Sequence, residues 1–302
     1  MSHPKTSSLI SPSLLRRLEQ LSFLCRKRAR SFHKGERKSH ARGQSVEFAD
    51  HRNYVPGDDL RYLDWNLFGR LDRLFLKTYE EERELPLHLF LDGSRSMDFG
   101  EPSKFRLAQK IAAAMGVVAL SGYDRLLLNV FPENQESALH RHALGQLRGK
   151  SSIPTLLEHL SHLSIGKGSS LNQVLQQEAQ RCKTQGTVII LSDFMDARGY
   201  EKGLKAWCGK GMEVHAFMIL SPEELEPTLR GDLRLVDCED GTSQEVTFGR
   251  HQLKAYKATL QRYLEQITSF CQRHGIGFHL VPTNTDLESW LMADLRKAML
   301  WQ

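Results

Sequence analysis

The chain of 302 residues carries only five cysteines, and they are odd in number, far apart and never in a C-x-x-C pair. The pattern of Cys25, Cys182, Cys208, Cys238 and Cys271 therefore argues against both a disulfide framework and a zinc knuckle, and they are expected to be reduced thiols. Uninterrupted apolar runs are short as well. The longest, 111–120, is rich in Ala and Gly and predicts a buried helix instead of a membrane span. The opening "MSHPKTSSLISP" lacks the charged, then apolar, then small order of a secretory leader, which gives a cytoplasmic protein as the expectation. No G-x-x-x-x-G-K-[ST] loop is present, so this chain supplies no P-loop ATPase of its own. The histidines are scattered, and pairs such as His140/His142 and His159/His162 lack a second ligand set nearby, which argues against metal binding through them.

Excess charge is scarce too, at a formal +5, but it is unevenly placed: "RRLEQLSFLCRKRARSFHKGERKSHARG" concentrates Arg and Lys before residue 43. Few aromatics are interleaved there beyond Phe23 and Phe32, and no nucleic-acid-binding motif accompanies them, so a solvated helix face is expected and nucleic acid is not.

With 40% hydrophobic residues the chain can bury one large core, with room for a smaller attachment. Residues 13–30 place Leu14, Leu18, Leu21 and Cys25 at helical spacing, and 31–42 reads as a linker, so 1–42 forms a basic head. Residues 43–84 are dense in aromatics, arginines and acids around Pro56-Gly57. They are read as a structural brace in which Asp58, Asp59 and Asp64 pair with Arg52, Arg61 and Arg70, with a docking surface as the second reading.

From residue 85 to 283, short apolar runs (87–91, 126–131, 188–191, 214–220, 276–281) alternate with helical patterns (103–120, 153–163, 171–182, 200–208, 252–274). That order predicts an α/β fold: a doubly wound, mostly parallel sheet with helices on both faces. A hairpin around Asp240-Gly241 is expected at 233–248. The segment 284–302 reads as a closing helix that packs through Leu287, Trp290, Leu291, Leu295 and Met299.

Two of the apolar runs end in aspartate, "LHLFLD" at Asp92 and "TVIILSD" at Asp193. In open parallel sheets, ligands bind beyond the carboxyl ends of the strands, and two carboxylates held there repel unless a cation lies between them. Ser94 and Ser96 add hydroxyls on the first turn, and Ser169, in "GKGSSLNQVL", adds a third from a Gly-flanked loop, with Ser170 as a possible substitute. Ser192 is expected only to satisfy backbone groups. Oxygen ligands without His or Cys suit Mg2+ or Mn2+, and five of them leave room for an outside ligand. The plainer reading makes the aspartates turn formers and the two serines caps for the helix that begins near Ser103.

"DGSRSM" resembles the D-x-S-x-S motif of the metal-ion-dependent adhesion site in von Willebrand factor A domains. The resemblance implies a metal set of Asp92, Ser94, Ser96, Ser169 and Asp193, with Ser169 standing where that family usually has threonine. The upstream "EFADHRNYVPGDDLRYLDWNLFGR", with "EEERE" before the strand, resembles the signature of the bacterial domain-of-unknown-function family fifty-eight, which pairs such a block with an A-type domain. The likeness covers 35–283 and implies association with a MoxR-type AAA+ ATPase, for which this chain would be an adaptor to an unidentified client protein.

The function expected is thus a non-enzymatic, Mg2+-dependent interaction module that accepts a partner carboxylate. The enzyme alternative is a Mg2+-dependent phosphohydrolase with Asp92 as nucleophile. Enzymes of the haloacid-dehalogenase type place a second Asp two positions on, where this chain has Ser94 and no proton-transfer group. "DGSRS" is not a G-x-S-x-G elbow either. A scaffold whose metal site has lapsed is the third reading.

Overall fold

The computed structural model describes residues 9–21, 46–81, 86–132, 146–166, 168, 171–228, 231–236 and 241–294. Outside them lie residues 22–30 of the expected first helix, the linker 31–42, Cys25, Cys238, His140, His142, Ser169, Ser170, Asp240, Leu295 and Met299. The chain divides into a larger unit, Met1–Lys27 with Leu85–Gln302, and a smaller one, Arg28–Glu84.

In the smaller unit, strands β1 (Val46–Asn53) and β2 (Phe75–Glu81) pair antiparallel with a register shift between Phe48 and Asp50. Helix α2 (Trp65–Leu71) lies between them and is capped by Asp64, whose carboxylate accepts from the Asn66 and Leu67 amides. Arg52 forms a two-pronged pair with Asp58, both contacts at 2.7 Å, and Arg61 pairs with Asp59. Asp64 departs from the pairing expected with Arg70: it is held by His51 at 2.9 Å and Lys77 at 3.4 Å. The His51 contact and the capped amides lower its pKa to about 2. The alternating charge of this segment is therefore spent mainly on its own turns and caps.

The larger unit is built on a six-stranded sheet in the order β10-β7-β6-β3-β4-β5. Its strands are β3 (Pro86–Asp92), β4 (Arg125–Phe131), β5 (Leu147–Arg148), β6 (Thr187–Ser192), β7 (Glu213–Leu220) and β10 (Gly277–Pro282). All neighbours pair parallel except the short edge strand β5, which runs against β4. This is the doubly wound α/β sheet expected from the alternating runs.

Strand residues of alternate parity feed two separate cores, as a sheet buried on both faces requires. Leu87, Leu89, Leu91, Ile189, Leu191, Phe217 and Ile219 face one core with helix α3 (Lys104–Ser121), α4 (Ile153–His162) and α1 (Pro12–Leu18). Phe90, Val188, Ile190, Ala216 and Met218 face the other with α5 (Leu171–Arg181), α6 (Glu201–Gly209) and the long α8 (Arg250–Arg273). α3 is buried around most of its circumference, and its run of alanines lets it lie close to the sheet.

After α7 (Pro222–Leu225), β8 (Gly231–Val236) and β9 (Ser243–Phe248) form the expected antiparallel hairpin. The C-terminal segment makes a short helix, α9 (Leu287–Ser289), continued by one π turn (Trp290–Asp294), with Trp290 and Leu291 buried. Among the described residues Cys182, Cys208 and Cys271 form no disulfide, and no helix is long and apolar enough to cross a membrane.

The central strand pair is tight at its start. A Cβ on Gly186 would lie 2.2 Å from the carbonyl oxygen of Pro86, the first residue of β3. Backbone cannot yield as a side chain does, so Gly186→Ala is expected to lower stability by about 1–3 kcal/mol, read from urea denaturation.

Candidate metal centre

The chain leaves β3 for β4 on one side and returns through β6 on the other, so strand order reverses between β3 and β6. That is the switch point at which a parallel sheet opens a crevice beyond its strand ends. Asp92 closes β3, and Asp193 directly follows β6. Both are buried, at 3% and 2% exposure.

Each carboxylate is fixed by its own loop. Asp92 Oδ1 accepts the Ser94 amide at 2.9 Å, while Asp92 Oδ2 accepts the Ser192 hydroxyl at 2.5 Å across the strand pair. Ser192 Oγ in turn accepts the Phe194 amide at 2.9 Å. The expectation that Ser192 serves backbone groups alone is thereby corrected: it also ties the two aspartate loops together. Ser94 is buried, and its Oγ lies 3.0 Å from that of the half-buried Ser96. Neither serine caps α3, because Ser103 does so by accepting the Arg106 amide. Arg95, between the two serines, is exposed.

Asp193 Oδ1 accepts the Met195 amide at 3.0 Å. The intervening Phe194 sits in the left-handed region at φ 56, a conformation that costs a non-glycine residue about 1–2 kcal/mol. Packing holds it there. Its ring is buried against Tyr200, and its carbonyl accepts the Tyr263 hydroxyl from α8.

The loop leading to Ser169 also reaches this edge. The Gly166 amide donates to the Gly93 carbonyl at 2.8 Å, and a Cβ on Gly166 would press on Pro132 at 3.0 Å. Ser169 itself lies outside the described residues. Of the five residues expected at the site, four thus stand in two adjoining loops, and the approach to the fifth is pinned to the residue after Asp92.

Sequence reasoning missed Lys104. Its ammonium, on a side chain only 1% exposed, lies 2.8 Å from Asp193 Oδ2 and 2.6 Å from Glu224 Oε1. Glu224 is oriented by a capping box: its other oxygen accepts the Ser221 amide at 2.7 Å, and Ser221 Oγ accepts the Glu224 amide. The only signal for Lys104 was a charged residue at the head of a helix otherwise buried. The S-x-x-E box was legible, but its partner was not.

Asp92, Asp193 and Glu224 against Lys104 leave two negative charges when all are ionised, and a divalent cation balances that sum. Without one, burial and the neighbouring Asp193 raise the Asp92 pKa to about 7. Lys104 feels the opposite balance: burial pulls its pKa down, but Asp193 and Glu224 more than offset this and the net shift is upward. Every carboxylate oxygen keeps a second lone pair after the bonds described, and the serine hydroxyls add neutral oxygens. The donor set therefore fits a hard cation. Among the described residues no three His, Cys, Asp or Glu side chains cluster as a metal site, so any such centre depends on the hydroxyls.

Comparison with known proteins places this chain at the level of a family. Residues 50–265 match the family model described as "Protein of unknown function DUF58". The uncharacterized proteins Rv1480 of Mycobacterium tuberculosis and Mb1516 of Mycobacterium bovis are each 25% identical over 205 residues, covering 68% of this chain and 64% of theirs. The chain thus aligns with less than two thirds of the length of these relatives. A crystal structure of the conserved hypothetical protein BatB from Bacteroides thetaiotaomicron is similar with a TM-score of 0.40 and 14% identity, covering 70% of this chain and 98% of that one. With most of its length matched by the family model, from within the smaller unit's first strand to the second half of α8, this chain belongs to the DUF58 family.

Proposed function

We propose that the protein is a metal-dependent protein-interaction module of the von Willebrand factor A type. In this reading Asp92, Ser94, Ser96, Ser169 and Asp193 hold Mg2+ or Mn2+, and a carboxylate from a partner completes the ion's shell. The observation that carries the reading is the Ser192 bridge to Asp92 at the reversal of strand order, which puts both aspartate loops and the Ser94 and Ser96 hydroxyls at one edge. A bound divalent ion supplies positive charge to an otherwise anionic crevice, so an incoming carboxylate is favoured only when metal is present.

Two large apolar side chains on these same loops, Phe99 at 50% and Met195 at 44% exposure, suit contact with a macromolecule. A MoxR-type AAA+ ATPase is the partner proposed, with this chain as adaptor to a client; the support for it is the likeness of the DGSRSM loop and the upstream block to families so associated. The site offers no acid–base group two residues after Asp92, which disfavours the phosphohydrolase alternative.

Titration calorimetry tests the metal set. Wild-type protein is expected to bind Mg2+ and gain thermal stability from it, and Asp92→Ala to lose both while remaining folded. Equal Mg2+ affinity in the variant refutes the assignment. A pull-down from native lysate, with Mg2+ and with chelator, should recover an ATPase only with metal.

A further inference from the structure

The loop that begins at Asp193 ends at a second feature. Between this loop and the first turns of α5 lies an open depression of about 350 Å³, lined by Asn172, Gln173, Gln176, Arg198 and Lys202. Its floor is built rigidly. The buried Asn172 donates to the Arg198 carbonyl at 2.7 Å and accepts the Gly203 amide at 2.8 Å, locking the loop to the start of both helices. α5 and α6 meet so closely there that a Cβ on Gly203 would lie 2.7 Å from that of Leu175.

The two cations on the rim are exposed, and among the described residues neither has a carboxylate partner. The acids nearest in sequence are turned to backbone: Asp196 Oδ1 accepts the Arg198 amide at 2.8 Å, and Glu201 Oε2 accepts the Tyr200 amide at 3.1 Å. The depression therefore sets two cationic side chains that have no ion-pair partner among the described residues beside side-chain amides able to bond a peptide backbone. It has no aromatic ring for stacking a base. Being open to solvent, it is also unlike the enclosed clefts that retain small molecules.

We propose that this depression is a second docking subsite, which takes a further Asp or Glu side chain from the same partner segment that offers its first carboxylate to the metal. The inference rests on the proposed metal-dependent reading and specifies the partner: an extended acidic peptide segment with two spaced carboxylates. One is read by the ion and the other by Arg198 and Lys202, while Gln173 and Gln176 meet the backbone between them.

NMR titration of the whole protein tests it, with Gly/Ser peptides bearing one Glu or two Glu separated by two to five residues as probes, each with Mg2+ and with chelator. The two-Glu peptide at its best spacing should bind about three- to tenfold tighter than the one-Glu peptide, the gain that exposed ion pairs supply, and should shift the Arg198 and Lys202 amide signals. R198E/K202E, at exposed positions, should abolish that gain and leave the Mg2+-dependent binding of the one-Glu peptide intact. An unchanged gain in R198E/K202E overturns the subsite. So does tighter binding at these residues by inorganic phosphate or a single-stranded oligonucleotide than by the two-Glu peptide. If binding shifts the Arg198 and Lys202 signals equally with and without Mg2+, the metal reading fails while the basic subsite stands.

Discussion

Lys104→Met is expected to lose about 3–5 kcal/mol of stability in chelator, the cost typical of orphaning a buried ionic partner. The wild-type ammonium lies between Asp193 and Glu224 and is shut from solvent, so its removal leaves two carboxylates facing each other with no cation between them. Because its folded-state pKa is raised, the Lys104 contribution is fully present at neutral pH and is lost only as pH rises through that raised value. The variant should also gain more from Mg2+ than the wild type does, because the site's formal charge falls from two negative to three. Chemical denaturation with chelator and with Mg2+ measures both effects. A variant as stable as the wild type in chelator would mean that Lys104 does not hold the crevice together.

The second large effect concerns Asp92. Its ordinary pKa of 3.8 rises to about 7 on folding, because burial and Asp193 both disfavour the charged form. Between these two values the folded state binds more protons than the unfolded state, so stability in chelator falls as pH rises across that window, by up to about 4 kcal/mol. Asp92→Asn cannot ionise and should show no such slope. Its carboxamide can still accept the Ser94 amide and donate to Ser192 Oγ, so at pH 8 in chelator it is expected to be more stable than the wild type. Saturating Mg2+ reverses the order, since binding requires the ionised carboxylate that only the wild type supplies. Denaturation midpoints across pH 4–8 give the comparison, and a flat wild-type profile in chelator would contradict the buried, repelled state of Asp92.

How much of this was legible differs between scaffold and site. The run 87–91 became Pro86–Asp92 and 188–191 became Thr187–Ser192, because short, mostly apolar stretches bounded by Pro, Gly and Asp leave few alternatives. The antiparallel edge strand Leu147–Arg148 escaped notice, for two residues carry no period. The order β10-β7-β6-β3-β4-β5 was likewise beyond reach, since hydrophobic spacing marks a strand without saying what it neighbours.

The same limit governs the site. Asp92, Ser94 and Ser96 share one turn, and the strand-end rule finds Asp193 independently. Lys104 meets Asp193 across 89 residues, and Ser192 meets Asp92 across 100. These contacts depend on strand order and on where α3 starts beneath the sheet edge. In the smaller unit, Asp64 chose His51 and Lys77 over Arg70 because strand pairing brings β1 and β2 to its side, whereas nearness in sequence pointed to its own helix.

The most direct test of the central claim is an anomalous difference map from a crystal of the full chain grown with Mn2+. A single peak is predicted within coordination distance of the Ser94 and Ser96 hydroxyls and beside the Asp92 carboxylate, absent in Asp92→Ala crystals. A map without density there, while Mn2+ appears elsewhere in the crystal or nowhere, would contradict the account.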